Sequence, residues 1–213
     1  MTQALYLKGA LSAEIEILAC NPCEDGRFAV RLSATPFHPQ GGGQPSDTGK
    51  IAEADVVHVG IEQGEIIHYC TQPVKLGAAL AQVDEKKRHY HSRLHSAGHL
   101  IAHVMHLFGW QATKAQHWPN DARVQFIPLD TVEQLDAEML HNQCLKYIQA
   151  NVPANLHQHT DGFREINFGD FPAFPCGGTH VAALGDIGPI DIQSYQFKKG
   201  KLSVSYSVAE EIE

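Results

Sequence analysis

The chain has 213 residues, 43% of them hydrophobic and 19% charged, with a formal net charge of −8. This composition suits a folded protein that buries a substantial core and excludes a disordered one, and the length allows one domain or two. No apolar run approaches membrane-spanning length, and the opening stretch Met1–Lys8 lacks the basic-then-apolar order of a secretory signal.

The first predicted elements are strands. Short runs broken by turn residues place them over Glu14–Ala19, Arg27–Ala34, Lys50–Val59, Glu65–Cys70 and Ala79–Val83. Cys20-Asn-Pro-Cys23 has redox-motif spacing, but it falls in the connection between the first two strands with no helix behind it. It reads as a turn carrying two incidental thiols. The total of five cysteines, an odd number, gives no disulfide framework, and a reducing, cytoplasmic setting is expected.

Between the second and third strands lies Pro36–Gly49, which contains Gly41-Gly42-Gly43. Three successive glycines let a loop aim main-chain N–H groups at a phosphate or carbonyl oxygen, and they equally suit a tight connection between strands. No Gly-Lys-Ser/Thr follows, so this is not a P-loop, and no dinucleotide fingerprint is present.

After the charged run Asp84-Glu85-Lys86-Lys87-Arg88, the apolar positions Leu94, Ala97, Ile101, Val104, Met105 and Phe108 recur at three- and four-residue steps. That period predicts a long helix from Glu85 to Gly109. A strand is expected at Arg123–Ile127. A second helix should run from Thr131 to about Ala150, with Asp130 as its cap and Glu133 completing a capping-box pattern. Further strands are expected over Ala154–Thr160, Ile187–Phe197 and Lys201–Val208. The expected fold class is α+β. A small N-terminal β-barrel-like domain, residues 1–85, precedes a two-layer α/β domain, residues 86–213, with helices packed on an antiparallel-rich sheet.

Two short pairs carry chemistry, His95-Ser-Ala-Gly-His99 and Cys176-Gly-Gly-Thr-His180. On a helix, a four-residue step turns through about 400°, so His95 and His99 share one face. Gly177 and Gly178 disfavour a helix and suit a turn that folds Cys176 and His180 around one ion. Three imidazoles and a thiolate match the donor preference of tetrahedral zinc. His103 and His106 have no ligand partner in view and read as packing or surface residues. The spacing lacks the glutamate of His-Glu-x-x-His, because Ser96 stands there, so the usual metalloprotease base is missing. Four protein ligands would also close a tetrahedral site, whereas catalytic zinc keeps a position open. Cys176 is therefore read as a fourth ligand or an exchangeable neighbour.

In order and spacing, Gly41–Gly49, His95–His99 and Cys176-Gly-Gly-Thr-His-Val181 resemble the editing domain of alanyl-tRNA synthetases. With no synthetase core present, the chain is similar to the free-standing AlaX editing proteins, in their medium-length form. Thr113–Asn120 and Asp186-Ile-Gly188 fit the same family. Two departures are Gly98, where Thr or Leu is commoner, and Ala115-Gln116. The resemblance implies hydrolysis of a wrong amino acid, serine first and glycine second, from the acceptor end of mischarged alanine tRNA. It also implies one zinc per chain, held by His95, His99, Cys176 and His180. No membrane and no obligate protein partner are implied.

Such a site has a physical rationale. A synthetase pocket shaped for alanine hardly excludes glycine and discriminates poorly against one added hydroxyl, whereas a second site that hydrogen-bonds that hydroxyl rejects alanine. On this reading Lys114 and His117 are candidates for proton movement or for contact with the terminal adenosine. Gly42, Gly43, Gln44 and Asp47 of the loop, with Ser96 and Gly98 of the helix, are candidates for contact with substrate or tRNA. The small residue at Gly98 is expected to enlarge or reshape the substrate pocket. Phosphate binding needs local positive charge despite the net charge of −8, and two clusters offer it: Lys86, Lys87, Arg88 and Arg93, and Lys198, Lys199 and Lys201. Rival readings are a zinc hydrolase of another small ester and a noncatalytic tRNA-binding module with structural zinc.

Overall fold

A computed structural model describes residues 1–133, 135–158 and 164–210. Their contacts divide the chain into two compact units, Met1–His89 and Tyr90–Glu213. The division falls within the first long helix, a few residues beyond the expected boundary at residue 85.

In the first unit the strands are β1 (Gln3–Ala4), β2 (Ser12–Pro22), β3 (Phe28–Leu32), β4 (Ala34–Thr35), β5 (Gly49–Ile51), β6 (Ala54–Glu62), β7 (Glu65–Cys70) and β8 (Gly77–Val83). Six of them pair in the cyclic order β2-β3-β7-β6-β5-β8, with β8 returning antiparallel to β2, so the sheet closes on itself. Closure removes the unpaired edges of an open sheet. Alternate side chains, among them Ile15, Ile17, Val30, Leu32, Ile51 and Val56, fill the interior. The single strand expected over Lys50–Val59 is broken into β5 and β6. Ala52 turns the chain there with a φ of 50°. Strand β2 runs further than expected, so Cys20 lies within it, paired with Val30, and only Cys23 lies in the connection, where the Gly26 N–H is bonded to its carbonyl at 3.1 Å; neither cysteine is in a disulfide.

The glycine loop is a tight turn. Gly41 and Gln44 exchange backbone hydrogen bonds of 3.2 and 3.0 Å around Gly42 and Gly43, whose φ values are 58° and 76°. Two consecutive positive φ angles suit glycine and the mirror-image hairpin turn. Beyond the turn, Asp47 is fully buried; it accepts the His38 N–H at 2.6 Å, and its two oxygens share a forked bond from Arg88 Nε, each at 3.0 Å. Arg88 also donates to the Pro36 carbonyl at 2.7 Å. Asp47 and the equally buried Gln44 were expected to meet substrate or tRNA. That expectation is corrected, because Asp47 is spent on the loop and on the first turn of the following helix, and the Gln44 side chain is enclosed.

The second unit contains most of helix α1 (Glu85–Leu107), then β9 (Trp110–Trp118), β10 (Asp121–Pro128), helix α2 (Ala137–Gln149), β11 (Ala154–Gln158), β12 (Arg164–Phe168), β13 (Phe174–Pro175), β14 (Ile190–Lys198) and β15 (Lys201–Val208). A four-stranded sheet runs β14-β15-β10-β9 and a three-stranded one β11-β12-β13. Both are antiparallel throughout. The protein is thus mostly β with two α-helices among the described residues, consistent with an α+β class. Leu94, Ala97, Ile101 and Val104 of α1 share one core with Val124, Phe126, Leu202 and Val204 of the larger sheet.

Helix α2 starts later than its sequence suggests. Its cap is Asp136, whose side chain accepts the Met139 N–H at 2.8 Å, rather than Asp130. The residues before it are captured by the turn that follows α1: the N–H groups of Leu129 and Glu133 donate to the carbonyls of Gly109 and Phe108. Of the strand expected over Ala154–Thr160, the last two residues lie outside the described ones. No helix among the described residues is long and apolar enough to cross a membrane.

Asp47→Ala leaves the Arg88 guanidinium buried without its carboxylate, and breaking one side of a buried ion pair costs about 3–5 kcal/mol. Urea unfolding of the variant chain is expected to show a loss of that size, and a change below about 1 kcal/mol contradicts the assignment.

Candidate metal and ester site

The four predicted ligands converge. One donor atom from each of His95, His99, Cys176 and His180 lies within 4.8 Å of every other. Cys176 Sγ is 3.1 Å from His180 Nε2 and 3.4 Å from His95 Nε2. Bonds of about 2.0–2.3 Å to a tetrahedral ion separate its donors by roughly 3.3–3.8 Å; the two thiol contacts lie close to that spacing, and the group could hold one metal ion. The ring centroids of His95 and His99 are 5.1 Å apart and those of His95 and His180 are 4.6 Å apart.

Local chemistry explains why both segments hold still. Ser96 is fully buried, and its oxygen accepts the Val181 N–H at 3.1 Å. The same oxygen lies 3.1 Å from His180 Nδ1, which leaves Nε2 facing the cluster. Ser96 was expected to meet substrate; its hydroxyl instead orients the ring of a candidate ligand, the position that outer partners of metal-binding histidines take. Arg164 clasps the glycine turn, donating to the carbonyls of Cys176 at 2.9 Å and Gly178 at 2.6 Å. Thr179 is bonded to Ser92 of α1 at 2.7 Å. Burial pushes the Cys176 thiol up, while the Gly178 N–H and the Arg164 charge oppose that shift. Burial, helped by the neighbouring His117, lowers His99 to about 3, so its ring is neutral and its lone pair available.

His117 lies against this group, its ring stacked on His95 at 4.3 Å. Burial lowers it to about 4. Its Nδ1 is 2.6 Å from Tyr206 Oη, and that hydroxyl donates its only proton to the Leu94 carbonyl at 3.0 Å. The proton between the two rings therefore sits on Nδ1, and Nε2 of the neutral imidazole carries a lone pair. Lys114, paired with His117 in the sequence reading, is exposed on the opposite face of β9, opposite Gln125. The strand's alternation separates the two, so the site receives His117 without Lys114.

Gly98 is likewise reassigned. A Cβ at this position would come within 2.4 Å of His117 Cε1 and 2.5 Å of Tyr206 Oη. The space its small size creates is filled by those two groups and is no added room for substrate. The first basic cluster is also dispersed: Arg88 is held by Asp47, and the fully buried Arg93 donates to the carbonyls of Ile187 and Ala209. Sequence reasoning missed Tyr206 and Arg164, whose partners are distant in the chain.

The family described as "Threonyl and Alanyl tRNA synthetase second additional domain" matches residues 164–203. Alanyl-tRNA editing protein AlaX-M of Methanosarcina acetivorans is 32% identical over 241 residues, covering 94% of this chain and 96% of its own. The chain belongs to the AlaX family of alanyl-tRNA editing proteins. The AlaX-M protein of Methanosarcina mazei is 30% identical over 94% of this chain and 93% of its own length. An alanine–tRNA ligase of Halobacterium salinarum is 26% identical over 90% of this chain, which corresponds to 24% of the ligase.

Two substitutions test the packing around His117. Tyr206→Phe removes the acceptor for His117 Nδ1 and the donor for Leu94, and an unsatisfied buried polar group costs about 1–3 kcal/mol. Gly98→Thr must displace both rings and is expected to lower stability by at least as much. Wild-type melting temperatures for both variants would refute this packing.

Proposed function

We propose that the chain is a trans-editing hydrolase that removes the amino acid from mischarged alanine tRNA, with the seryl ester as principal substrate and the glycyl ester as a second. The observation that carries this reading is the convergence of three imidazoles and a thiol within 4.8 Å, in a chain related over nearly its whole length to alanyl-tRNA editing proteins. The donor set of nitrogen and sulfur selects zinc over magnesium or calcium, which prefer oxygen. His95, His99, Cys176 and His180 would hold one ion, which when bound supplies positive charge to polarise the ester or a hydrolytic water.

The remaining chemistry falls to side chains. Hydrolysis adds water across the ester bond, returning the 3′-terminal ribose hydroxyl and a free amino acid. His117, with its proton fixed on Nδ1 by Tyr206, offers Nε2 as the acceptor for a donor on the substrate or for the attacking water's proton. A base of low pKa is weak, but it is unprotonated at neutral pH, and an aminoacyl ester is activated relative to a peptide. Ser96 and Arg164 act on the ligands and not on the substrate: they fix His180 and the Cys176 turn. Alanine escapes because a pocket that bonds the serine hydroxyl leaves buried polar groups unpaired against a methyl group.

Deacylation of alanine tRNA carrying serine, glycine or alanine, with and without a chelator, tests this reading. The seryl ester is expected to be lost fastest and the alanyl ester to be spared. Chelation should abolish the difference, and added zinc should restore it. His95→Ala and His180→Ala should each lose bound metal, read by elemental analysis, and deacylation by about 100-fold or more. Full activity in a metal-free variant overturns the zinc assignment. A metal-loaded protein that binds tRNA and leaves every ester intact supports the noncatalytic module instead.

A further inference from the structure

The outer face of the sheet β14-β15-β10-β9 carries a row of polar side chains that no part of the site uses. Strand pairing sets Lys114 beside Gln125, Gln125 beside Ser203, and Ser203 beside Gln196. The next row on the same face is Gln116, Arg123, Ser205 and Ser194. The intervening residues Val124, Phe126, Leu202 and Val204 are buried on the other face, so the alternation is complete across the two central strands. At the hairpin end Lys198 faces Lys201, with Lys199 in the turn.

This face is basic in a chain whose net charge is −8. Lys114, Lys198, Lys199 and Lys201 are exposed, and none is ion-paired among the described residues. Among the described residues, the carboxylates on the face are Asp121, which is engaged by Arg123, and Asp191 at the far end of β14. A hollow of about 380 Å³ lies at the lysine corner, lined by Gln125, Gln196, Ser203 and the three hairpin lysines. No carboxylate of the described residues lines it.

We infer that this sheet face binds the ribose-phosphate backbone of the tRNA substrate. The inference rests on the editing reading for the identity of that RNA. The donors do not converge on a point, as a site for one free anion would require. They run across four strands spaced about 4.8 Å apart, a row of about 14 Å, which suits an extended polyanion. Cations meet phosphates, while hydroxyl and amide groups between them match ribose hydroxyls, a pattern that reads RNA without reading its sequence. Lys114 thus gains a role outside the ester site.

Uncharged alanine tRNA, titrated by fluorescence anisotropy at several salt concentrations, tests the surface. Lys198→Glu/Lys201→Glu is compared with Lys8→Glu/Lys75→Glu, which changes net charge equally on exposed residues of the other unit. The hairpin variant is expected to bind about 10-fold or more weakly and to lower the slope of log affinity against log salt by roughly 1.5, for two lost phosphate contacts. The control should match wild type. Lys114→Glu, at the other end of the row, should weaken binding in the same sense, and KM for seryl-tRNA should rise in both surface variants. If the wild-type chain deacylates seryl-tRNA and the surface variants match the control in affinity and slope, the surface is overturned and the editing reading stands. If the hairpin and Lys114 variants lose affinity as expected but wild type leaves the ester intact, the surface stands and the editing reading falls. Wild-type protein that does not bind tRNA ends both.

Discussion

Helix α1 presents no side chain at Gly98, and into that gap the sheet sends two polar groups, the imidazole of His117 and the phenol of Tyr206. Polar groups buried in a helix–sheet core are costly unless each finds a partner. Here they satisfy one another in series: Nδ1–H donates to the phenol, and the phenol donates to the carbonyl of Leu94, 112 residues away in sequence. The series ends one residue before His95, the first predicted ligand, and His117 stacks on that ligand's ring. Apolar packing around Leu94, Ala97 and Ile101 supplies adhesion between helix and sheet. The polar seam supplies register, because a hydrogen bond tolerates far less sliding than an apolar contact.

The cluster of His95, His99, Cys176 and His180 is held from outside by the same kind of economy. His95 and His99 need no special support beyond their helix, since a four-residue step puts both on one face. The Cys176–His180 turn has no such scaffold and is tied at three points, by Arg164 to two carbonyls, by Thr179 to Ser92 and by Val181 to Ser96. Ser96 belongs to both arrangements, standing between the helical histidines and orienting the ring of His180. A neutral His99 ring and a tethered turn hold donor groups in place ahead of binding, which lowers its cost.

Much of this was legible in the sequence, and the failures have identifiable causes. The apolar period of α1 and the two ligand spacings are local signals. Strand β15 alternates cleanly from Lys201 to Val208, and it appears as expected. Strand β9 escaped because Trp110–Trp118 has few apolar residues and a register shift opposite Gln125 and Phe126, which breaks the two-residue period. Helix α2 was started too early, since an Asp with a Glu three residues on is a cap only if the chain there is free to coil, and this chain is bonded to the turn that follows α1. Asp47 reads as a substrate contact, and Arg88 and Arg93 as charge available to phosphate, because their partners are backbone carbonyls and one another across dozens of residues. Tyr206 and Arg164 gave no local sign at all.

The glycine turn beside the cluster has one further property. No atom of the described residues lies within 4 Å of the position a side chain would take at Gly177, and its φ is not in the left-handed region. Arg164 grips the carbonyls on either side, so the turn owes its shape to main-chain atoms and not to the absence of a side chain at that point. Position 177 is therefore a natural mounting point for a spectroscopic reporter, one residue from a thiol and clear of the described residues around it.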